Sequence, residues 1–281
     1  MKDEEKEMSF LDHLEELRWH IIRALSAIVI LMIAAFILNT WIFDHIIFAP
    51  ARTDFPTFQW LCWVGTMTGF EDLLCIKEIP MRIQSRIMTG QFTMALTSSF
   101  VIGLTAAFPY VVWEIWRFIR PGLHKKERKY SRGAVAAISF LFFLGSAFGY
   151  YILSPLAIYF LSTYQVSEIV VNEFDITSYV STVTTLILGS GILFQLPMVV
   201  YFLTQVGIIT PAFLKQYRRH AIVIILIISA IITPPDPISQ TIIGIPLLLL
   251  YEFSIFVSAM VMRRKVKRDA AEEAEESLND W

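Results

Sequence analysis

A single carboxylate, Glu127, lies in a cationic run between two long apolar stretches: Trp116-Arg117-Phe118-Ile119-Arg120-Pro121-Gly122-Leu123-His124-Lys125-Lys126-Glu127-Arg128. An acid in such surroundings suits a cationic guest, because a guanidinium fork meets a carboxylate through two parallel, charge-assisted hydrogen bonds. The neighbouring cations repel loosely basic guests, so selection favours one whose arginines reach the acid in the right geometry. The alternative is local pairing of Glu127 with Arg128 or Lys125. A second candidate acid, Glu16, belongs to the amphipathic segment His13-Leu14-Glu15-Glu16-Leu17-Arg18-Trp19-His20-Ile21-Ile22. There Leu14, Leu17 and Ile21 share one helical face and Glu16 lies on another. By itself that is an ordinary helix at a membrane interface, with solvated acids.

Three further features fall within apolar runs. Gln195 precedes Pro197, and an amide at depth must find partners where a proline frees a carbonyl one turn back. Both a hydrogen bond within the chain and a contact with a partner helix satisfy it. Gly145-Ser146-Ala147-Phe148-Gly149 has the spacing of a close helix contact, which points to packing inside the bundle. Glu252 near the end of an apolar run is expected to snorkel to water. Pro109, Pro155 and Pro246 are read as bends. Catalytic patterns are missing: the chain has no His-Glu-x-x-His and no Gly-x-Ser-x-Gly, and Gly189-Ser190-Gly191 lacks the fuller nucleophile pattern.

The elements that carry these residues follow from composition. Hydrophobic residues make up 56% and charged residues 17% of the chain, and mean hydropathy is +0.59, far from the balance of a soluble domain. Charge-free runs locate helices at 24–43, 87–113, 133–167, 176–214, 221–235 and 237–251. The first four exceed the roughly 20 residues needed to cross about 30 Å of hydrocarbon. A 15-residue run reaches only about 22 Å, so the last two form a short pair joined by Thr233-Pro234-Pro235-Asp236-Pro237, a turn that must reach water. The fold class is therefore an all-α membrane protein with six transmembrane helices. Of the 23 Lys and Arg, all but Arg52, Lys77, Arg82 and Arg86 fall on one side, which makes both termini cytoplasmic. The N-terminus has no cleavable-leader pattern, because it is acidic and the first apolar run is long enough to remain an anchor.

These assignments divide the chain into an N-terminal segment (1–23), a membrane domain (24–262) and a charged tail (263–281). The membrane domain includes an extracytoplasmic loop (44–86) and a cytoplasmic loop (114–132). The tail changes from Arg263-Arg264-Lys265-Val266-Lys267-Arg268 to an acidic stretch, and is expected to leave its helix as a disordered, solvated end whose basic part meets anionic lipid. Phe55, Phe58, Trp60, Trp63 and Phe70 suggest that the 44–86 loop lies on the membrane surface or caps helix ends. Its two cysteines, Cys62 and Cys75, are free to form a disulfide in an oxidising compartment or to remain thiols; count and spacing leave both open.

Four motifs in this order resemble the TatC family, the receptor subunit of the twin-arginine protein translocase: His13-Leu14-Glu15-Glu16-Leu17-Arg18; Trp116 to Leu123 with Glu127-Arg128; Phe194-Gln195-Leu196-Pro197; and Thr233-Pro234-Pro235-Asp236-Pro237-Ile238-Ser239-Gln240 followed by Ile245-Pro246. The resemblance implies a cytoplasmic docking site for signal peptides with consecutive arginines on folded cargo. Glu16, Leu17 and Arg18 match the N-terminal motif; Phe118 and Glu127 match the aromatic and the acid of the first cytoplasmic loop. Gln195, Asp236 and Gln240 match positions near single-span TatA/TatB-type subunits, although the family commonly has glutamate at Gln195. It also implies residence in the bacterial cytoplasmic membrane, association with further receptor copies, contact with lipid and not nucleic acid, and use of the protonmotive force. No cofactor, metal or nucleotide is expected, and the chain has no Gly-x-x-x-x-Gly-Lys-[Ser/Thr] loop. A small-solute secondary transporter is the rival reading: it rests on the interrupted fourth helix and predicts an internal repeat, which inspection does not find.

Overall fold

In hydrocarbon a backbone must satisfy its own polar groups, so apolar runs of this length fold as helices. The structure, a computed structural model, describes residues 10–119, 133–167, 169, 172–232 and 237–279. Its main helices are α1 (Phe10–Ile37), α2 (Pro56–Thr68), α3 (Gly90–Ile119), α4 (Ala134–Phe148), α5 (Ser154–Thr163), α6 (Ile176–Leu193), α7 (Leu196–Val206), α8 (Pro211–Gln216), α9 (Arg218–Ile232) and α10 (Pro237–Asn279). Strands β1 (Arg82–Gln84) and β2 (Glu173–Asp175) pair in parallel, Arg82 opposite Glu173. Among the described residues, five stretches are long and apolar enough to cross a membrane: Glu15–Ile37, Gly90–Ile119, Ala134–Thr163, Ile176–Val206 and Gln240–Lys267.

The chain divides into two compact units, 1–47 with 85–140 and 48–84 with 141–281. In the first unit α1 and α3 pack against each other along their length. Gly103 makes this possible: a Cβ there would lie 2.6 Å from the Met32 backbone nitrogen and 2.8 Å from its Cα. Phe36 meets Phe92 edge-on beyond that crossing, with ring centroids 6.2 Å apart. The amphipathic N-terminal segment is helical from Phe10. It continues without interruption into the first span as α1.

In the second unit the small residues of α4 receive α6. A Cβ on Gly145 would lie 2.6 Å from the Ser190 carbonyl oxygen, and one on Gly149 would strike the Ser190 hydroxyl and the Leu186 carbonyl; Gly191 faces Ser146 and Phe142 in return. The Gly145–Gly149 spacing thus serves packing within the bundle. A π turn, Gly149–Leu153, joins α4 to α5, and there Ser154 Oγ donates to the Gly149 carbonyl at 2.8 Å while Pro155 supplies no N–H. Leu153, Ala157, Leu186, Leu193, Ile225, Ile243 and Leu247 form the core of this unit. α6 ends at Leu193 and α7 starts at Leu196, so Pro197 does break the run, whereas Pro109 and Pro246 lie inside continuous helices. α7 closes on Gly207, whose φ of 92° lets its N–H return to Leu203 and Thr204.

Two expectations need correction. α9 is short, with 15 residues, but its partner is not, because α10 runs 43 residues from Pro237 to Asn279. The charge-free run stops at Glu252, whose two carboxylate oxygens accept from Arg218 Nη2 and Nε, each at 2.8 Å, between two half-exposed side chains. A charge paired in this way need not end a span. The tail, expected to be disordered, stays helical to Asn279; the Ala- and Glu-rich 269–279 stretch has high intrinsic helix propensity.

The 44–86 loop splits its aromatics. Phe55 and Phe58 are buried against Tyr150, Tyr151 and Tyr159, while Trp60, Trp63 and Phe70 are exposed. Cys62 and Cys75 form a disulfide across a sequence separation of 13. A loop of this length is stabilised by about 3 kcal/mol in the chain-entropy account. Both sulfurs should resist alkylation in the native protein until a reductant is added; labelling of either one before reduction would show the bridge absent.

Candidate functional site

α1 and α3 run antiparallel from their crossing at Gly103, so the start of α1 and the end of α3 meet at one end of the first unit. Glu16, His20 and Arg23 recur on α1 at i, i+4 and i+7, and Tyr110, Glu114 and Phe118 on α3 at i, i+4 and i+8. Such spacings place each set on one helical face. The stripes face each other. His20 Nδ1 contacts Glu114 Oε2, Arg23 Nε lies 3.3 Å from the same oxygen, and the His20 ring meets Phe118 with centroids 6.0 Å apart. His20 Nε2 lies 3.9 Å from Glu16 Oε1.

Burial separates the roles. Glu114 is 1% exposed and His20 4%, whereas the Glu16 side chain keeps 38% of its surface. A buried carboxylate without partners costs several kcal/mol, and here two cationic or donating groups from α1 compensate it. Leu17 and Phe118 are half-buried and Arg18 is exposed. Arg117 lies over the Trp113 ring, 6.0 Å from its centroid.

Of the sequence-derived candidates, Glu16, Leu17, Arg18 and Phe118 therefore converge on one end of the α1–α3 pair. Glu127 and Asp236 lie outside the described residues. Gln195 occupies the break between α6 and α7 and is half-buried. Gln240 is in the first turns of α10 and donates to the Leu226 carbonyl of α9 at 3.3 Å. Among the described residues, no group of three or more His, Cys, Asp or Glu could hold a metal ion.

The acid that sequence reasoning missed is Glu114. The apolar run was ended at Trp113, which assigned Glu114 to the loop; the structure keeps it in α3, inside a stretch apolar enough to span. Its signal was available in its flanks, since Trp113, Ile115 and Trp116 surround it. His20 and Arg23, one and two turns beyond Glu16, could have been recognised as its partners only with the helix pairing in hand.

Long apolar helices, one of them interrupted at Gln195, define a multi-pass membrane protein. The family model for "Sec-independent protein translocase protein (TatC)" matches residues 12–246, and the chain belongs to the TatC family. It is thus a subunit of the Sec-independent protein-transport machinery. The TatC protein of Blattabacterium sp. subsp. Periplaneta americana is 41% identical over 266 residues, covering 94% of this chain and all of that protein. That of Halalkalibacterium halodurans is 35% identical, covering 96% and 97%. A crystal structure of the twin arginine translocase receptor TatC in DDM aligns with a TM-score of 0.69 at 31% identity, over 88% of this chain and 99% of the other. Another crystal structure of the TatC receptor gives 0.66 at 29%, over 89% and 99%.

Proposed function

We infer that this chain is the cytoplasm-facing receptor for twin-arginine signal peptides and a core subunit of a translocase that exports folded proteins across the bacterial cytoplasmic membrane. The observation that carries this reading is the convergence of the His13–Arg18 motif and the Trp116–Phe118 motif at one end of the α1–α3 pair, through His20. Glu16 is exposed enough to accept a guanidinium, Leu17 and Phe118 offer apolar surface beside it, and Arg18 repels guests that bring charge without the right spacing. Glu127, nine residues beyond Phe118, supplies the second carboxylate.

In this reading six helices cross the membrane, with 1–23 and 263–281 on the cytoplasmic side of the 24–262 membrane domain. Membership of the family and the placement of Lys and Arg support that orientation. Single-span TatA/TatB-type subunits pack near Gln195, Asp236 and Gln240, several receptor copies assemble together, and the protonmotive force drives transport. A glutamine at position 195 serves there by hydrogen bonding and not by ionisation.

The test is binding of a labelled twin-arginine signal peptide to the full chain. Glu16→Gln and Glu127→Gln are each expected to weaken binding about tenfold, the scale of one lost charge-assisted hydrogen bond. Unchanged affinity in the double variant would remove the reading.

A further inference from the structure

The geometry points to Glu114 as a positioning residue that acts through His20 to hold Glu16 and Phe118 in the arrangement that distinguishes arginine from lysine in the guest. This rests on the reading of Glu16 as an arginine acceptor, and it adds a residue that no motif of the family resemblance includes.

Three observations lead to it. First, one imidazole stands between two carboxylates: its Nδ1 meets buried Glu114, and its Nε2 faces Glu16 at 3.9 Å. Second, the same ring touches Phe118, so a change in the orientation of His20 would shift both groups at the docking end. Third, Glu114 cannot meet a guest itself, since it is 1% exposed and flanked by Arg23. The order from inside to outside is thus a buried anchor, a pivot and a reader.

An isolated carboxylate on the outer face of α1 would sample several rotamers and would accept an ammonium as readily as a guanidinium. Bidentate recognition requires both oxygens held in one plane, and side chains that meet a ligand are kept in place by those packed behind them. Glu114 and Arg23 both meet Nδ1, the Arg23 Nη2 at 3.1 Å, so the ring is held from that side and its Nε2 edge is the one turned to Glu16.

The experiment uses the full chain in lipid nanodiscs, with fluorescent signal peptides carrying either two arginines or two lysines. Glu114→Gln, near in size and uncharged, is expected to weaken binding of the arginine peptide roughly fivefold and to lower the arginine-over-lysine preference, a coupling of ordinary size for residues in contact. In a Glu16→Gln background the same substitution should change affinity by less than about twofold, because the effect passes through Glu16. A chain that merely folds less well would lose binding sites without changing that preference. If Glu114→Gln does not yield folded protein, His20→Gln serves in its place with the same expected loss of preference. An unaltered preference, or an effect undiminished in the Glu16→Gln background, overturns the positioning role. Glu16→Gln binding both peptides like the parent would instead overturn the arginine-acceptor reading, and this role with it.

Discussion

A Gly103→Leu chain is expected to yield little folded protein, since the α1–α3 crossing has no room for a side chain. The first carbon added at residue 103 would lie 2.6 Å from Met32 N and 3.1 Å from the Ile28 carbonyl oxygen. These are backbone atoms of a helix, which cannot rotate aside, so the helices must separate along their shared face. Overpacking typically costs about 1–3 kcal/mol, and more where the backbone has to move. Loss of the crossing also separates the two stripes that meet 11 residues along α3, at Glu114. Gly244→Ala is the matched control: its Cβ would find Leu226 Cδ2 at 3.6 Å, an ordinary contact. Melting followed by size-exclusion in detergent compares the two. A Gly103→Leu midpoint equal to that of Gly244→Ala would show that the close approach does not occur.

His20→Leu is the second substitution with a large expected effect, a loss of about 3–5 kcal/mol, the usual result of removing one partner from a buried ionic pair. It leaves Glu114 buried with the Tyr110 hydroxyl and with Arg23, which lies 3.3 Å away through a side chain that is 41% exposed. The sign of a double substitution tests the cause. His20→Leu with Glu114→Leu replaces the pair by apolar side chains, an exchange that is often neutral or stabilising, and the remaining Arg23 can turn toward solvent. Thermal unfolding in detergent should therefore rank the single variant well below the parent and the double variant close to it. A double variant less stable than the single one would show that burial of Glu114 is not what His20 offsets.

Both of these effects involve positions that hydropathy treats in opposite ways. The glycine contacts were legible in outline, because Gly145 and Gly149 carry a helical spacing that needs no knowledge of the partner. Their partner, the Leu186–Ser190–Phe194 face of α6, was not, since nothing in the chain marks which helix will approach. The spans were legible wherever a run contained no charge, and misread wherever a charge was compensated by a distant residue. Glu114 is 94 positions from His20 and Glu252 is 34 from Arg218. A hydropathy window scores each acid as though it faced lipid alone, so it ends α3 too early and α10 far too early. Glu16 and Phe118 were found by motif, but the imidazole that links them belongs to no motif; it was seen only as part of an amphipathic segment. The disulfide depended on a turn after α2 at Gly69, whose φ of 78° brings the chain back toward Cys62. Spacing alone carries no such direction.

The length of α10 has a mechanical consequence. Forty-three residues extend about 65 Å at 1.5 Å per residue, against about 40–45 Å for a whole bilayer with its head groups. Set upright, a mast of that length is about two nanometres taller than the bilayer.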